Sequence, residues 1–171
     1  MAEIKKVGVL GAGLMGHGIA QVAAQSGYDV VLREVDEATL AKGIAKIEKQ
    51  LQRAVDREKL TAEQSAEIRG RIQGTIEYED LADSDLVIEA ITEDLAMKLE
   101  MWQVVDSIVK PEAIFATNTS SLAVIDQAAS TERPGQFVGL HFFNPAQVMK
   151  LVEVIRAITT APETFDAALE W

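Results

Sequence analysis

The chain has 171 residues, 48% of them apolar and 25% charged, and carries a formal net charge of −11. This suits one ordinary domain and is too short for two large ones. So acidic a chain, with no Lys/Arg block, excludes an electrostatic binder of nucleic acid or anionic membrane. No apolar run reaches the roughly 20 residues of a membrane span, and the lack of cysteine excludes disulfides, thiol catalysis and thiolate metal sites.

In chain order, the opening MAEIKKVGVLGAG leaves no room for a signal peptide, so a cytoplasmic protein is expected. Lys6 to Leu10 reads as a β-branched-rich strand ending in glycines, Leu14 to Ser26 as a helix stopped by Gly27, and Tyr28 to Arg33 as a second strand: a βαβ unit. From Glu37 to Ile72 the pattern is helical and charged, with Leu40, Ile44, Ile47 and Leu51 at helical spacing. Thr61, followed by Glu63 and Gln64, marks a fresh helix start, so two helices should form a projecting hairpin. It is either a solvated charged face or an arm for a partner or ligand. Strands are expected at Thr75 to Tyr78, Leu86 to Glu89, Ile114 to Thr117, Phe137 to Phe142 and Leu151 to Ile155, with a helix over Asp94 to Val109 stopped by Pro111. Pro162 suits a first helical turn, and Glu163 to Trp171 continue helically with no glycine cap, as if the chain were cut within a helix. This alternation predicts an α/β fold of the Rossmann type, a doubly wound and mostly parallel sheet covered on both faces.

The stretch GVLGAGLMGHGIA places Gly11, Gly13 and Gly16 in G-x-G-x-x-G spacing between a strand and a helix. Gly11 would permit the tight turn, Gly13 the approach of a pyrophosphate, and Gly16 close packing of helix on strand, with the helix N-terminus facing the phosphates. Glu34, roughly twenty positions past Gly11, ends the second strand where a ribose-binding acid belongs. That carboxylate favours NAD over NADP, although Arg33 beside it could pair with a 2′-phosphate. His17, just inside the helix, should face solvent or the phosphate rim and is a poor candidate for a catalyst.

Ligands of a doubly wound sheet lie beyond the carboxyl ends of the strands. VIEAITED, FATNTSSL and GLHFFN all end there. In GLHFFNPAQVMKLVEV, two apolar runs are joined by an Asn-Pro turn, His141 lying in the first and Glu153 in the second. A carboxylate in an apolar strand is costly unless paired, and His141 is the obvious partner. From the residues alone, the pair is either structural or catalytic.

Together GAGLMG, EAITEDLAMK, ATNTSSL and GLHFFNPAQVMKLVEV resemble the NAD-binding domain of L-3-hydroxyacyl-CoA dehydrogenases, among them the bacterial 3-hydroxybutyryl-CoA dehydrogenases, over Ile4 to Trp171. The resemblance implies NAD-dependent oxidation of (3S)-3-hydroxyacyl-CoA to 3-oxoacyl-CoA in fatty acid or butanoate metabolism. His141 would take the 3-hydroxyl proton, Glu153 orient it, and Ser120 hydrogen-bond the substrate oxygen near the nicotinamide. Cofactor contacts would come from Gly11, Gly13, Leu14, Met15, Gly16, Glu34, Glu93, Lys98, Ser120 and Asn144. Simpler readings remain for several of these: Ser120 as a cap for a helix from Leu122, Asn144 as a turn former, and Glu93 with Lys98 as a surface pair. CoA contacts align with Gln50 and Arg57 in place of the family's commoner Ser and Lys, with Lys59 close by. The resemblance further implies a second, all-helical domain absent from these residues, which completes the substrate cleft and makes a homodimer. Weak or no turnover is therefore expected of this chain alone. The competing readings are a related gulonate or carnitine dehydrogenase and a non-catalytic NAD-binding module. No metal and no nucleic acid is expected.

Overall fold

A computed structural model describes residues 3–171. Met1 and Ala2, where the chain should lead directly into the first strand, lie outside the described residues. The strands are β1 (Lys6–Leu10), β2 (Asp29–Arg33), β3 (Ile72–Thr75), β4 (Leu86–Glu89), β5 (Ile114–Thr117), β6 (Phe137–Phe142) and β7 (Val152–Ile155). They form one sheet in the order β3-β2-β1-β4-β5-β6-β7, parallel except for the antiparallel β6–β7 edge. The chain leaves β1 first towards one edge and later, through β4, towards the other. The β1–β4 boundary is thus the topological switch point at which a doubly wound sheet opens a crevice.

Central strands are apolar at nearly every position because helices cover both faces. Val9, Leu32, Ile88, Ala116 and Leu140 face a layer that includes Ile19 and Ala23 of α1 (Gly16–Gln25) and Ile47 and Leu51 of α2 (Glu37–Asp56). On the other face Val31, Val87, Phe115 and Phe137 pack on α4 (Leu95–Ile108). There the fully buried Trp102 stacks on Phe115 at 4.9 Å, meets Phe137 edge-on at 4.9 Å, and donates its indole N–H to Gln127 at 3.1 Å. A buried Trp needs such a partner.

The helix starts follow local chemistry. Asp36 caps α2 by accepting from the Thr39 amide, and Asp94 caps α4 by accepting from Met97. Thr61 and Gln64 form a reciprocal capping box at α3 (Ala62–Gly70). Pro162 opens α6 (Pro162–Glu170), and a short α5 (Val124–Ala128) precedes β6. The hairpin of α2 and α3 buries one face, Leu40, Gly43, Ile47 and Leu51, while α3 has no buried residue. Among the described residues no helix is long and apolar enough to cross a membrane.

One strand departs from expectation. Thr75 to Tyr78 was the expected span, but β3 is Ile72–Thr75 and pairs Val30 with Ile72. The segment offers two apolar anchors, Ile72 and Ile76. Pairing with β2 selects the earlier, and the Thr75 hydroxyl then accepts from the Glu77 amide as the chain turns away.

Candidate active site

A cavity of about 970 Å³ lies beyond the carboxyl ends of β1, β2, β4, β5 and β6. By strand order, Gly11, Gly13, Leu14, Met15 and Glu34, after β1 and β2, line one end, and Ser120 and His141, by β5 and β6, the other, with Glu93, after β4, between them. Asn144 lines the cavity too, leading into Ala146 and Gln147 beside Gly18 of α1. Folding therefore brings most of the expected site residues to one crevice.

At the first end, Gly11 has φ +95°, a conformation that suits glycine. A Cβ on Gly16 would stand 1.7 Å from the Gly11 carbonyl oxygen, so the α1 N-terminus presses directly on the loop. A Cβ on Gly13 would meet nothing within 4 Å, so the backbone there is open to the cavity. No side chain caps α1. Its first-turn amides thus lack intrahelical partners and present partial positive charge, as a pyrophosphate requires. The Glu34 carboxylate accepts from the amides of Ala12 (2.8 Å) and Val35 (2.7 Å), which locks it against the loop, and each oxygen keeps a further lone pair for a ribose hydroxyl. Arg33 lays its guanidinium 3.7 Å from the Tyr78 ring centroid and donates from Nε to the Ile76 carbonyl. These features fit a dinucleotide, and the occupied arginine with the fixed acid fits one without a 2′-phosphate. Gly16→Ala is expected to displace the loop backbone and weaken NAD binding at least about tenfold, measured by calorimetric titration.

Of the two positions expected for His17, solvent is overturned, while the ring does lie against the glycine loop. It is 7% exposed, with Nδ1 2.5 Å from the Gly13 carbonyl and Nε2 3.4 Å from the Gln50 amide. The ring folds back under the loop instead of facing solvent. Gln50 thereby reaches the rear of the glycine turn, while Arg57 and Lys59, past the end of α2, are exposed. None of these three lines the cavity.

At the second end, the antiparallel register sets His141 directly opposite Glu153, and His141 Nδ1 lies 2.7 Å from Glu153 Oε2. The expectation of a buried carboxylate is corrected: the Glu153 side chain is 54% exposed, because β7 is the outermost strand. Water can solvate it, so no desolvation cost needs offsetting. The pairing nevertheless exists, and it occupies Nδ1. Asn118, which sequence reasoning did not single out, accepts from the Phe142 amide at 2.9 Å and so ties the end of β5 to β6 beside His141. Ser120 is exposed in the same cavity. The cap reading for Ser120 fails: α5 begins at Val124, and Thr119 is the residue that accepts from the amides of Ser121 and Leu122.

Between the two ends is a charge cluster. Lys98 is 1% exposed and donates to the fully buried Glu89 at 2.7 Å and to Glu93 at 3.0 Å. The alternative of a surface Glu93–Lys98 pair is therefore overturned. Glu89, also absent from the sequence-derived candidates, further accepts from the Ile91 amide (2.8 Å) and the Thr117 hydroxyl (2.6 Å). Its only signal in the sequence was an acid closing an apolar strand. Burial pushes the Glu93 carboxyl up, but hydrogen bonds from Thr119, Lys98 and Ser121, with the charge of Lys98, outweigh it and hold the group below its ordinary value. A depressed folded-state value contributes stability that is present above the ordinary value of 4.5 and lost as pH falls through the lower folded value. Thermal melts between about pH 5 and 3 are therefore expected to show a shallower acid-induced loss for Glu93→Gln than for the native chain.

Residues 6–171 match the family described as "3-hydroxyacyl-CoA dehydrogenase, NAD binding domain". The 3-hydroxybutyryl-CoA dehydrogenase of Bradyrhizobium diazoefficiens is 46% identical over 170 residues, covering 99% of this chain and 58% of the relative. That of Clostridioides difficile is 42% identical, covering 96% and 59%. The crystal structure of (S)-3-hydroxybutyryl-CoA dehydrogenase from Ralstonia eutropha superposes with a TM-score of 0.96 at 42% identity, covering 98% of this chain and 59% of that one. The chain thus spans rather more than half the length of the curated relatives it matches.

Proposed function

Because the chain belongs to the 3-hydroxyacyl-CoA dehydrogenases and forms their NAD-binding domain, we propose that the whole protein oxidises (3S)-3-hydroxyacyl-CoA to 3-oxoacyl-CoA, in fatty acid or butanoate metabolism in the cytoplasm. The observation that carries this reading is His141, which lines the crevice whose other end is the glycine loop and has Nδ1 2.7 Å from Glu153.

With Nδ1–H donated to Glu153, Nε2 is left to take the proton of the substrate hydroxyl. NAD, when bound, supplies the acceptor for the hydride that leaves the same carbon. Glu153 holds the imidazole in this tautomer and stabilises the imidazolium formed. In the reverse direction His141 returns the proton. Ser120 orients the substrate oxygen, and Gly11, Gly13, Leu14, Met15, Gly16, Glu34, Glu93, Lys98 and Asn144 form and support the cofactor site. Gln50 and Arg57 would meet the CoA moiety on the hairpin side. On this reading a helical domain, present in the family and outside these residues, completes the cleft and makes a homodimer. This chain alone would then bind NAD and turn over weakly, since catalysis needs a positioned substrate and excluded water.

The test is NADH formation by the full-length protein with 3-hydroxybutyryl-CoA against free 3-hydroxybutyrate, gulonate and carnitine. Turnover on the CoA ester supports the proposal. Turnover confined to a free acid would indicate a related dehydrogenase, and NAD binding without turnover on any of them a non-catalytic module.

A further inference from the structure

We propose that Glu89, acting through Lys98 and Glu93, is a positioning residue that fixes the loop presenting Ser120; the inference rests on the role given to Ser120 above. The loop follows β5 and has no regular structure of its own before α5. Both neighbours of Ser120 are nonetheless held by one carboxylate: the Thr119 hydroxyl donates to Glu93 Oε1, and the Ser121 hydroxyl donates to the same oxygen at 3.2 Å. The other oxygen, Oε2, is held by Lys98 Nζ at 3.0 Å.

Lys98 in turn is held from within the protein. Its ammonium is 2.7 Å from Glu89 Oε1, and both side chains are sealed from water. Glu89 also reaches the loop by a second path. Its Oε2 accepts from the Thr117 hydroxyl at 2.6 Å, and the Thr117 oxygen accepts from the Thr119 amide at 3.3 Å. Thr119 is thus gripped through its backbone by way of Thr117 and through its side chain by way of Glu93, and both paths end on Glu89. Glu89 and Lys98 do not line the cavity, whereas Glu93 and Ser120 do. A buried charge pair with defined partners sets geometry more firmly than an exposed one, because each member has lost the alternative of water. Glu89 also accepts from the Ile91 amide, a bond that a Gln carbonyl oxygen could equally make, so it is the pairing with Lys98 that calls for an acid here.

The test uses Glu89→Gln in the full-length protein. Amide hydrogen exchange should accelerate about tenfold or more at Ser121 and Leu122, whose amides donate to Thr119 and touch nothing of Glu89. In the same variant kcat should fall about 10- to 100-fold at saturating NAD, a condition that separates the loop from any change in NAD affinity passed through Lys98 and Glu93. If this variant does not fold, Glu89→Gln/Lys98→Met replaces it, because it leaves no buried charge unpaired yet still removes the cation that holds Glu93. Unchanged exchange at Ser121 and Leu122 in a folded variant would overturn the inference. Exchange is read without turnover. A loosened loop with unchanged kcat would therefore uphold the positioning by Glu89 and count instead against the role of Ser120.

Discussion

Replacing His141 by alanine in the full-length protein is expected to lower kcat for 3-hydroxybutyryl-CoA oxidation by about 10²- to 10⁴-fold, the range of a positioned general base, with NAD affinity nearly unchanged. The asymmetry follows from placement. His141 lies at the opposite end of the crevice from Gly11, Gly13 and Glu34, where the dinucleotide would be gripped, and its Nδ1 is already spent on Glu153. The variant removes Nε2 as proton acceptor and touches no element of the glycine loop. Folding should survive, because the His141 side chain, 21% exposed in this domain, is not part of its apolar core. Steady-state rates with separate NAD and substrate titrations make the measurement. Full retained turnover would remove the proposed mechanism, and a loss of NAD binding would mean the two ends of the crevice are not independent.

Lys98→Met is expected to be the most destabilising single change at the site, costing about 3–5 kcal/mol, as removing one partner of a buried ion pair does. Its removal leaves Glu89 sealed in the protein with only the Ile91 amide and the Thr117 hydroxyl as donors. Against a domain stability of about 5–15 kcal/mol that is a large fraction, readable as a shift in the urea midpoint. Adding Glu89→Gln should recover much of the loss, since a neutral amide tolerates the apolar neighbour where a carboxylate does not. A loss of under about 1 kcal/mol for the single variant, the range of exposed pairs, would show that water reaches the cluster.

The parts of this protein legible in its sequence are those with a local cause. The βαβ start, the glycine loop, the capping box at Thr61 and the alternation of strand and helix all follow from propensity, periodicity and turn chemistry within a few residues. The approach of His141 to Glu153 was legible because two apolar runs across a short turn form an antiparallel pair, in which one register aligns the two residues. Three features had no local cause. Helix α4 carries apolar residues around much of its circumference, so its pattern does not say that Met97 and Val104 are exposed while Lys98 is sealed inside. That choice is made by the carboxyl end of β4, where Glu89 pairs with the cation. Glu153 looked buried because its neighbours are apolar, but only the strand order places β7 at the edge, in water. The start of β3 depended on which isoleucine the neighbouring strand would pair. Periodicity thus determined which elements exist and where the candidate site residues fall along them. Which faces meet, and so which charges are dry, was decided by the packing of elements distant in the chain, because desolvation depends on what covers a side chain and not on what precedes it.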